Sequence, residues 1–414
     1  MFNEKRLFII VLAIIIISLF ISGCAGPQQT EDEQNNVLQK EWDEIVKSAE
    51  GTKVNFYMWG GDRRINQWVD TSVASYLKEE YDIELNRVPM GANDYLNKLL
   101  GEKQVGRKEG SIDLLWINGE NFKTAKEQDL LFGPFAEKLP NYNRYMDKES
   151  PETTTDFGFP TKGYEVPYGK AQFVFIYNKD KVSKPPKSYD ELITWIKEHP
   201  GKFTYPALPD FTGSAFVRHV IYNETGGYKQ YYDISKEKLR EKIRPALEFL
   251  ADLEPYLWRE GKTYPATIAQ VDNMYADGEL WMTMGYNPVK ASGEVEKGNF
   301  PSSTRTFILK EGTISNTHFL AIPFNAPNKT GALVAANFLE SFDVQLSKLK
   351  PANWGDLPAF SSDKLSEAEK EEIKELDLGV ATLPQKRLQE HRVPEIPADL
   401  VPIIEDEWKK IVGQ

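Results

Sequence analysis

From Lys53 onward, short β-rich runs alternate with amphipathic helical stretches, and this restricts the chain to few architectures. Val54 to Trp59 has the continuous apolar character of a buried strand and ends in Gly60-Gly61-Asp62. Arg63 to Glu80 carries Ile65, Trp68, Val69, Val73 and Leu77 at helical spacing. Ile83 to Val88 predicts a second strand, and Asn93 opens a helix bearing Tyr95, Leu96, Leu99 and Leu100. Ile112 to Ile117 predicts a third strand, followed by Asn118-Gly119-Glu120-Asn121 and a short helix. The order βαβαβα implies an α/β fold with a mostly parallel sheet covered by helices.

A second α/β series begins near Ala171. Phe173 to Tyr177, Phe203 to Tyr205, Leu280 to Met284 and Thr313 to Ile322 read as strands; Gly213 to Asn223, Lys236 to Leu250 and Gly331 to Ser341 read as helices. Ser188 and Glu191 match a capping box heading a helix through Glu198, which Pro200 and Gly201 end. No repeat of fixed period is present, which argues against a solenoid or propeller. A body of roughly 390 residues exceeds one compact core and predicts two lobes.

In open parallel sheets, ligands sit beyond the carboxyl ends of the strands. Four junctions there combine aromatic faces, glycines that permit close backbone approach, and polar side chains. They are Trp59-Gly60-Gly61-Asp62; Trp116 to Phe122, with Asn118, Glu120 and Asn121; Tyr205 running into Phe211-Thr212-Gly213-Ser214; and Trp281 to Pro288, with Thr283, Tyr286 and Asn287. Asp62 and Asn118 serve equally well as helix caps, and Trp59, Trp116 and Trp281 as core residues. The helix start at Thr212-Gly213-Ser214 offers backbone N–H groups to an anion. The four histidines, His199, His219, His318 and His391, are scattered, with no metal-ligand spacing, no nucleophile elbow and no phosphate-binding loop. No cofactor and no catalytic residue is expected.

The first residues bear on location. Lys5 and Arg6 precede the apolar run Leu7 to Ile21, and Ile21-Ser22-Gly23-Cys24 closes it with small residues. This resembles the bacterial lipobox, which implies a signal peptide over 1–23, cleavage before Cys24 and lipid, palmitate included, on that cysteine. Cys24 is the single cysteine of the 414 residues, so no disulfide is expected. A polar tether and short helix would fill 24–51, leaving the body outside the cell and anchored to the membrane. A net charge of −12 removes the basic footprint that nucleic acid requires.

The strand Val54 to Gly61, the run Asp113 to Phe122, Val166-Pro167-Tyr168-Gly169, Phe175 to Asp180, Phe319 to Pro323, Gly331-Ala332 and Asn337-Phe338-Leu339 together resemble the bacterial ABC-transporter solute-binding lipoproteins. They are most similar to the YnjB-type extracellular proteins, over about Lys53 to Phe342. The resemblance implies a two-lobed type II periplasmic-binding-protein fold with a ligand cleft between lobes. Lobe one would comprise 52–166 plus 312–345, lobe two 170–310, and 346–414 would form a C-terminal helical segment. The four junctions would line the cleft with Tyr168, Asn316 and His318. In related proteins the position of Asn316 to His318 often carries an aromatic and an acidic contact; this chain departs from that, which disfavours a polyamine. The implied function is capture of a small solute by a monomer and delivery to a permease and its ATPase, without catalysis. The solute is a thiamine-like organic molecule or an oxyanion. The competing class is a surface-anchored hydrolase acting on carbohydrate.

Overall fold

In the computed structural model the described residues are 36–413; the expected signal peptide, Cys24 and most of the expected tether fall outside them. Residues 36–39 are helical, and Trp42–Ala49 forms a separate helix. No described helix is long and apolar enough to cross a membrane.

The first lobe is built on a six-stranded sheet. Strands β1 (Lys53–Met58), β2 (Glu84–Pro89) and β3 (Leu114–Ile117) are parallel, in the order β2-β1-β3. Each leads into a helix. The one after β1 runs as Arg63–Trp68, a π-helical turn Val69–Val73 and Ala74–Tyr81; those after β2 and β3 are Ala92–Gln104 and Glu120–Glu127. The sheet then departs from the parallel expectation. Strand β4 (Glu165–Gln172) leaves this lobe for the second, whose sheet begins at once with β5 (Val174–Asn178). Because the returning strand β8 (Thr313–Ala321) runs the other way, β4 and β8 pair antiparallel, from Ala321↔Glu165 to Ser315↔Gln172. Strand β8 also pairs antiparallel with β3, Leu320 facing Trp116.

The second lobe carries β5 at the centre of a three-stranded sheet. It lies between β6 (Met282–Gly285) and β7 (Thr304–Phe307), each antiparallel to it. Phe203 to Tyr205 forms no strand. The apolar run is used as packing, with Phe203 and Tyr205 fully buried against Phe216. Ser188 caps its helix by accepting from the Glu191 N–H at 3.2 Å, while the Glu191 carboxylate returns to Lys187 rather than to the cap itself.

The C-terminal stretch is not a purely helical segment. It includes strand β9 (Arg392–Pro394), parallel to the start of β8 in the first sheet. Helix Val401–Ile411 then buries Ile404 and Trp408 in the second lobe, in one cluster with Phe216, Val217 and Leu250. Each of these side chains contributes about 2 kcal/mol of apolar burial. Residues 392–412 therefore make a further link between the two sheets.

The backs of β4 and β8 are tied by buried charge. The Lys348 ammonium and His318 Nε2 each lie 2.9 Å from Asp356 Oδ2, and Lys348 also donates to the Tyr168 carbonyl. All of this closes over Gly169, where an added Cβ would sit 2.5 Å from His318 Nε2 and nearer still to Asp356 and Lys348. Gly169→Ala is expected to destabilise the protein by about 3 kcal/mol, because the buried ion pairs cannot give way. Gly101→Ala, in an exposed helix position with open space around it, should instead stabilise by about 1 kcal/mol. Urea denaturation of the two variants checks both signs.

Candidate functional site

Trp59 follows β1 directly. The chain turns there at two glycines: a Cβ on Gly60 would meet Pro89 at 2.6 Å, and one on Gly61 would run into the Trp59 indole. The indole therefore lies back over the turn and stays 45% exposed, edge-on to Trp116 at 6.4 Å between centroids. Trp116 packs on Trp354 at 5.0 Å, and Trp354 stacks nearly parallel on His318 at 5.4 Å and against Tyr168 at 5.3 Å. This aromatic stack rests on the Lys348–Asp356–His318 knot, so its base is fixed by buried ionic contacts.

The second lobe carries an exposed aromatic of its own. Phe211, at the start of helix Phe211–Thr225, is 40% exposed and lies 4.9 Å from the Tyr286 ring and 6.4 Å from Phe157. Phe157 has φ 43° and sits under Gly119, whose own φ of 63° brings the backbone onto that ring. A bulky residue held at positive φ is strained. Below Phe211 the Arg218 guanidinium is buried and bidentate to Glu395, at 3.0 and 3.3 Å, and donates to Ser214 Oγ at 2.6 Å. Tyr286 OH and Asn316 Nδ2 also donate to Glu395, at 2.6 and 3.0 Å, and Ser214 Oγ donates to Glu405 at 3.0 Å. Burial alone would favour the neutral guanidine, but Glu395 overrides it and raises the Arg218 pKa. Every Glu395 contact is thereby internal, and Arg218 is a neutralised cation.

Opposite this network stands Glu120, the first residue of the helix after β3. Its pKa is pushed up to about 7, by burial first and then by Glu405 and Glu395; its own helix start and Arg218 oppose the shift. Asn121 donates to it at 3.2 Å. Behind it Asp156 is buried, with Oδ2 accepting from the Gly119 N–H at 2.5 Å and Oδ1 without a hydrogen-bond partner. Burial holds the Asp156 and Glu165 carboxyls well above the ordinary range, and each raises the other or its neighbours further.

At the Trp59 end, contacts join the lobes directly. Arg64 Nε lies 2.8 Å from Glu294, and Asp62 caps its helix by accepting from Arg64 N at 2.7 Å and Ile65 N at 3.2 Å. Burial would raise the Asp62 pKa, but Arg64 and Lys290 of the second lobe hold it below the usual range. Lys290 is itself paired to Asp272.

Of the residues read from sequence, Trp59, Gly60, Gly61, Asp62, Asn118, Glu120, Asn121, Tyr168, Phe211, Ser214, Tyr286, Asn316 and His318 belong to these linked networks or to the turns that carry them. Others go elsewhere. Tyr205 is core, its hydroxyl receiving the Trp408 indole N–H at 3.2 Å. Trp281 precedes β6 at the end opposite Tyr286 and packs with Trp195 and His199. Thr283 is buried on Asp272; Asn287, by contrast, joins the aromatic stack from behind, donating to the Trp354 carbonyl and accepting from the Val289 N–H. The N–H groups of Thr212 and Gly213 are not open to an anion: both donate to Asp210 Oδ1, at 2.9 and 3.1 Å. Sequence reading missed Phe157, Arg218, Trp354, Glu395 and Glu405. Trp354, in Asn353-Trp354-Gly355-Asp356, and Phe157, in Asp156-Phe157-Gly158, carried a local signal of the aromatic-glycine kind; Arg218, Glu395 and Glu405 did not. A crevice of ≈ 450 Å³ lined by Ser292, Lys350, Pro351, Leu376 and Val380 shares none of these residues. Among the described residues no cluster of His, Cys, Asp or Glu could hold a metal ion.

Comparison with known proteins gives the context. The family profile described as bacterial extracellular solute-binding protein matches residues 71–374. Protein YnjB of Escherichia coli (strain K12) is 40% identical over 337 residues, covering 81% of this chain and 86% of its own length. The α-D-tagatose-bound ABC-transporter solute-binding protein of Thermotoga lettingae superposes with TM-score 0.65 at 20% identity, over 87% of this chain and 93% of that one. An ABC transporter structure from Clostridium perfringens gives 0.59 at 19% identity, over 87% and 99%. The two-sheet α/β architecture is therefore that of the solute-binding proteins, and the chain belongs to the bacterial extracellular solute-binding protein family.

Proposed function

We propose that the protein is the solute-capturing component of an ABC importer, holding a small organic solute between Trp59 and Trp116 of one lobe and Phe211 and Tyr286 of the other. The observation that carries this reading is the pair of exposed aromatic faces, the Trp59 indole on one lobe and the Phe211 ring on the other, the latter over the Arg218 guanidinium held by Glu395. Large exposed aromatics are the usual source of stacking free energy in such sites. Family membership and the ABC-transporter relatives support it. Lobe closure removes the solute from water, and the closed form docks on a permease driven by an ATPase; the solute leaves unchanged. Cys24 carries the lipid that keeps the protein at the membrane outside the cell. An oxyanion at the Phe211 helix start loses its support, since Asp210 already occupies those donors.

Native mass spectrometry of protein purified gently from cells tests the reading. One small molecule per chain, released intact on denaturation, is expected; turnover of that molecule by the protein would replace binding with hydrolysis. Trp59→Ala or Phe211→Ala should weaken affinity for the released solute by about 10- to 100-fold, in line with loss of one aromatic contact. Trp281→Ala should leave it unchanged.

Burying Glu120 also has a stability consequence. Its folded pKa lies above the unfolded value, so between pH 4.5 and 7 the folded state binds more protons and stability falls as pH rises. Below pH 4.5 the difference vanishes. Glu120→Gln should therefore match the parent at pH 4 and exceed it by about 3 kcal/mol at pH 8, measured by urea denaturation at both.

A further inference from the structure

Phe157 and Phe159, one glycine apart, go to different cores. Thr155–Asp156 pairs antiparallel with Phe159–Pro160, which leaves Phe157 and Gly158 as the turn of a short hairpin just ahead of the crossover strand β4. Phe159 lies with the first lobe, its ring 6.0 Å from Phe122, in one apolar cluster with Leu96, Ile117 and Leu130. Phe157 lies in the buried cluster of the second lobe, with Phe216, Val217 and Leu250; its ring is 6.4 Å from Phe211 and only 6% exposed. The turn itself does not call for this residue. Phe157 and Gly158 have φ of 43° and 74°, a pair of positive angles for which hairpins ordinarily use Asn-Gly. Asn would take the first position with less strain, so the phenylalanine is explained by where its ring goes.

Further contacts close around the hairpin tip. A Cβ on Gly119 would stand 3.2 Å from the Phe157 ring, and the Gly119 N–H donates to Asp156 at 2.5 Å. The Phe157 carbonyl accepts from the Ala398 N–H at 3.0 Å, so the hairpin also holds the C-terminal link. Beside it the Lys123 ammonium lies 5.6 Å over the Phe159 ring and 3.6 Å from Asp399. The other Asp399 oxygen is 3.4 Å from Lys236, which starts the second-lobe helix Lys236–Leu253. These contacts lie outside the ladder of β4 with β8 and join the lobes at a separate place.

We infer that the hairpin Thr155–Pro160 is an interlobe latch, with Phe159 as its anchor in the first lobe and Phe157 as its tongue in the second. Hinge motion about β4 and β8 withdraws the Phe157 ring from the second-lobe cluster, breaks the bond to Ala398 and separates Lys123 from Asp399. The latch thus favours the closed arrangement through apolar burial, whatever solute is held. A solute has then to supply only the rest of the closing free energy, so apparent affinity rises with the strength of the latch. That effect on affinity rests on the solute-capture reading above; the latch itself does not.

Hydrogen exchange of the purified protein, refolded from urea so that it carries no solute, tests the latch at the amides of 395–400, with β1 and β5 as controls inside the two lobes. Phe157→Asn suits the turn and removes the ring. Exchange over 395–400 is expected to rise about tenfold or more, with both control strands unchanged, and small-angle scattering to give a larger radius of gyration. Phe157→Tyr, which keeps the ring, should exchange like the parent. Lys123→Ala breaks the bridge to Asp399 from a helix position outside both cores and should raise exchange over the same residues about threefold. Unchanged exchange over 395–400 in both Phe157→Asn and Lys123→Ala overturns the latch. So does loss of protection in the control strands of both lobes along with 395–400, because the hairpin then belongs to one cooperative core. If Phe157→Asn fails to fold, Lys123→Ala decides by the same two readings. Because no solute is present, neither result bears on solute capture.

Discussion

The antiparallel pairing of β4 with β8 is the contact on which the rest depends. One strand carries the chain out of the first lobe and the other brings it back, so their ladder is both the inner edge of one sheet and the bridge to the other. Position along it sets the site. His318 faces Gly169 and places its ring on Trp354; Asn316 faces Ala171 and reaches Glu395; Tyr168 packs under Trp116. The register shift between His318 and Phe319 lets these side chains leave the ladder at different angles. A motion of one lobe against the other must therefore bend these two strands together, a hinge made of strand rather than loop.

Ionic contacts stiffen that hinge at a cost. The Lys348–Asp356 and Arg218–Glu395 pairs are nearly without solvent contact. Transfer of such charges from water takes back much of what their attraction provides, so these groups are weak evidence for stability. Their geometric effect is plainer. A bidentate guanidinium–carboxylate pair accepts few orientations, and Glu395 fixes Arg218, Tyr286 and Asn316 on one carboxyl group. Beside them His219, held neutral by burial with its pKa lowered to about 3, accepts the Ile314 N–H at 2.8 Å and so ties the helix carrying Arg218 to the returning strand.

Much of the first lobe was legible because its signals are local. Strand runs, helical spacing and the Gly60-Gly61 turn after Trp59 are each complete within a few residues, whereas the exposure of Trp59, which sequence left open between core and cleft, comes from the folded turn. Antiparallel β4 was not, since a strand's direction depends on where the chain goes next. Trp281 and Tyr286 belong to one aromatic-rich stretch yet lie at opposite ends of β6; periodicity marks a strand and leaves open which end meets a ligand. Glu395 and Glu405 lie in ordinary acidic surroundings in the sequence. They gain meaning from Arg218 and Ser214, 177 and 191 residues away.

The same separation explains how binding and motion are divided. Three groups of the proposed floor, Glu395, Asn316 and Tyr168, are drawn from the crossover strands and the C-terminal link, the elements shared by both lobes. The proposed walls, Trp59 after β1 and Phe211 at its helix start, come from elements that each belong to one lobe. A solute that touches only the floor has no stake in closure, because those contacts are made in either state. Free energy for closure can come only from groups that meet across the gap. On the solute-capture reading, the exposed aromatics of the two lobes are such groups. What the walls recognise therefore decides not just which solute is held, but which solute shuts the protein.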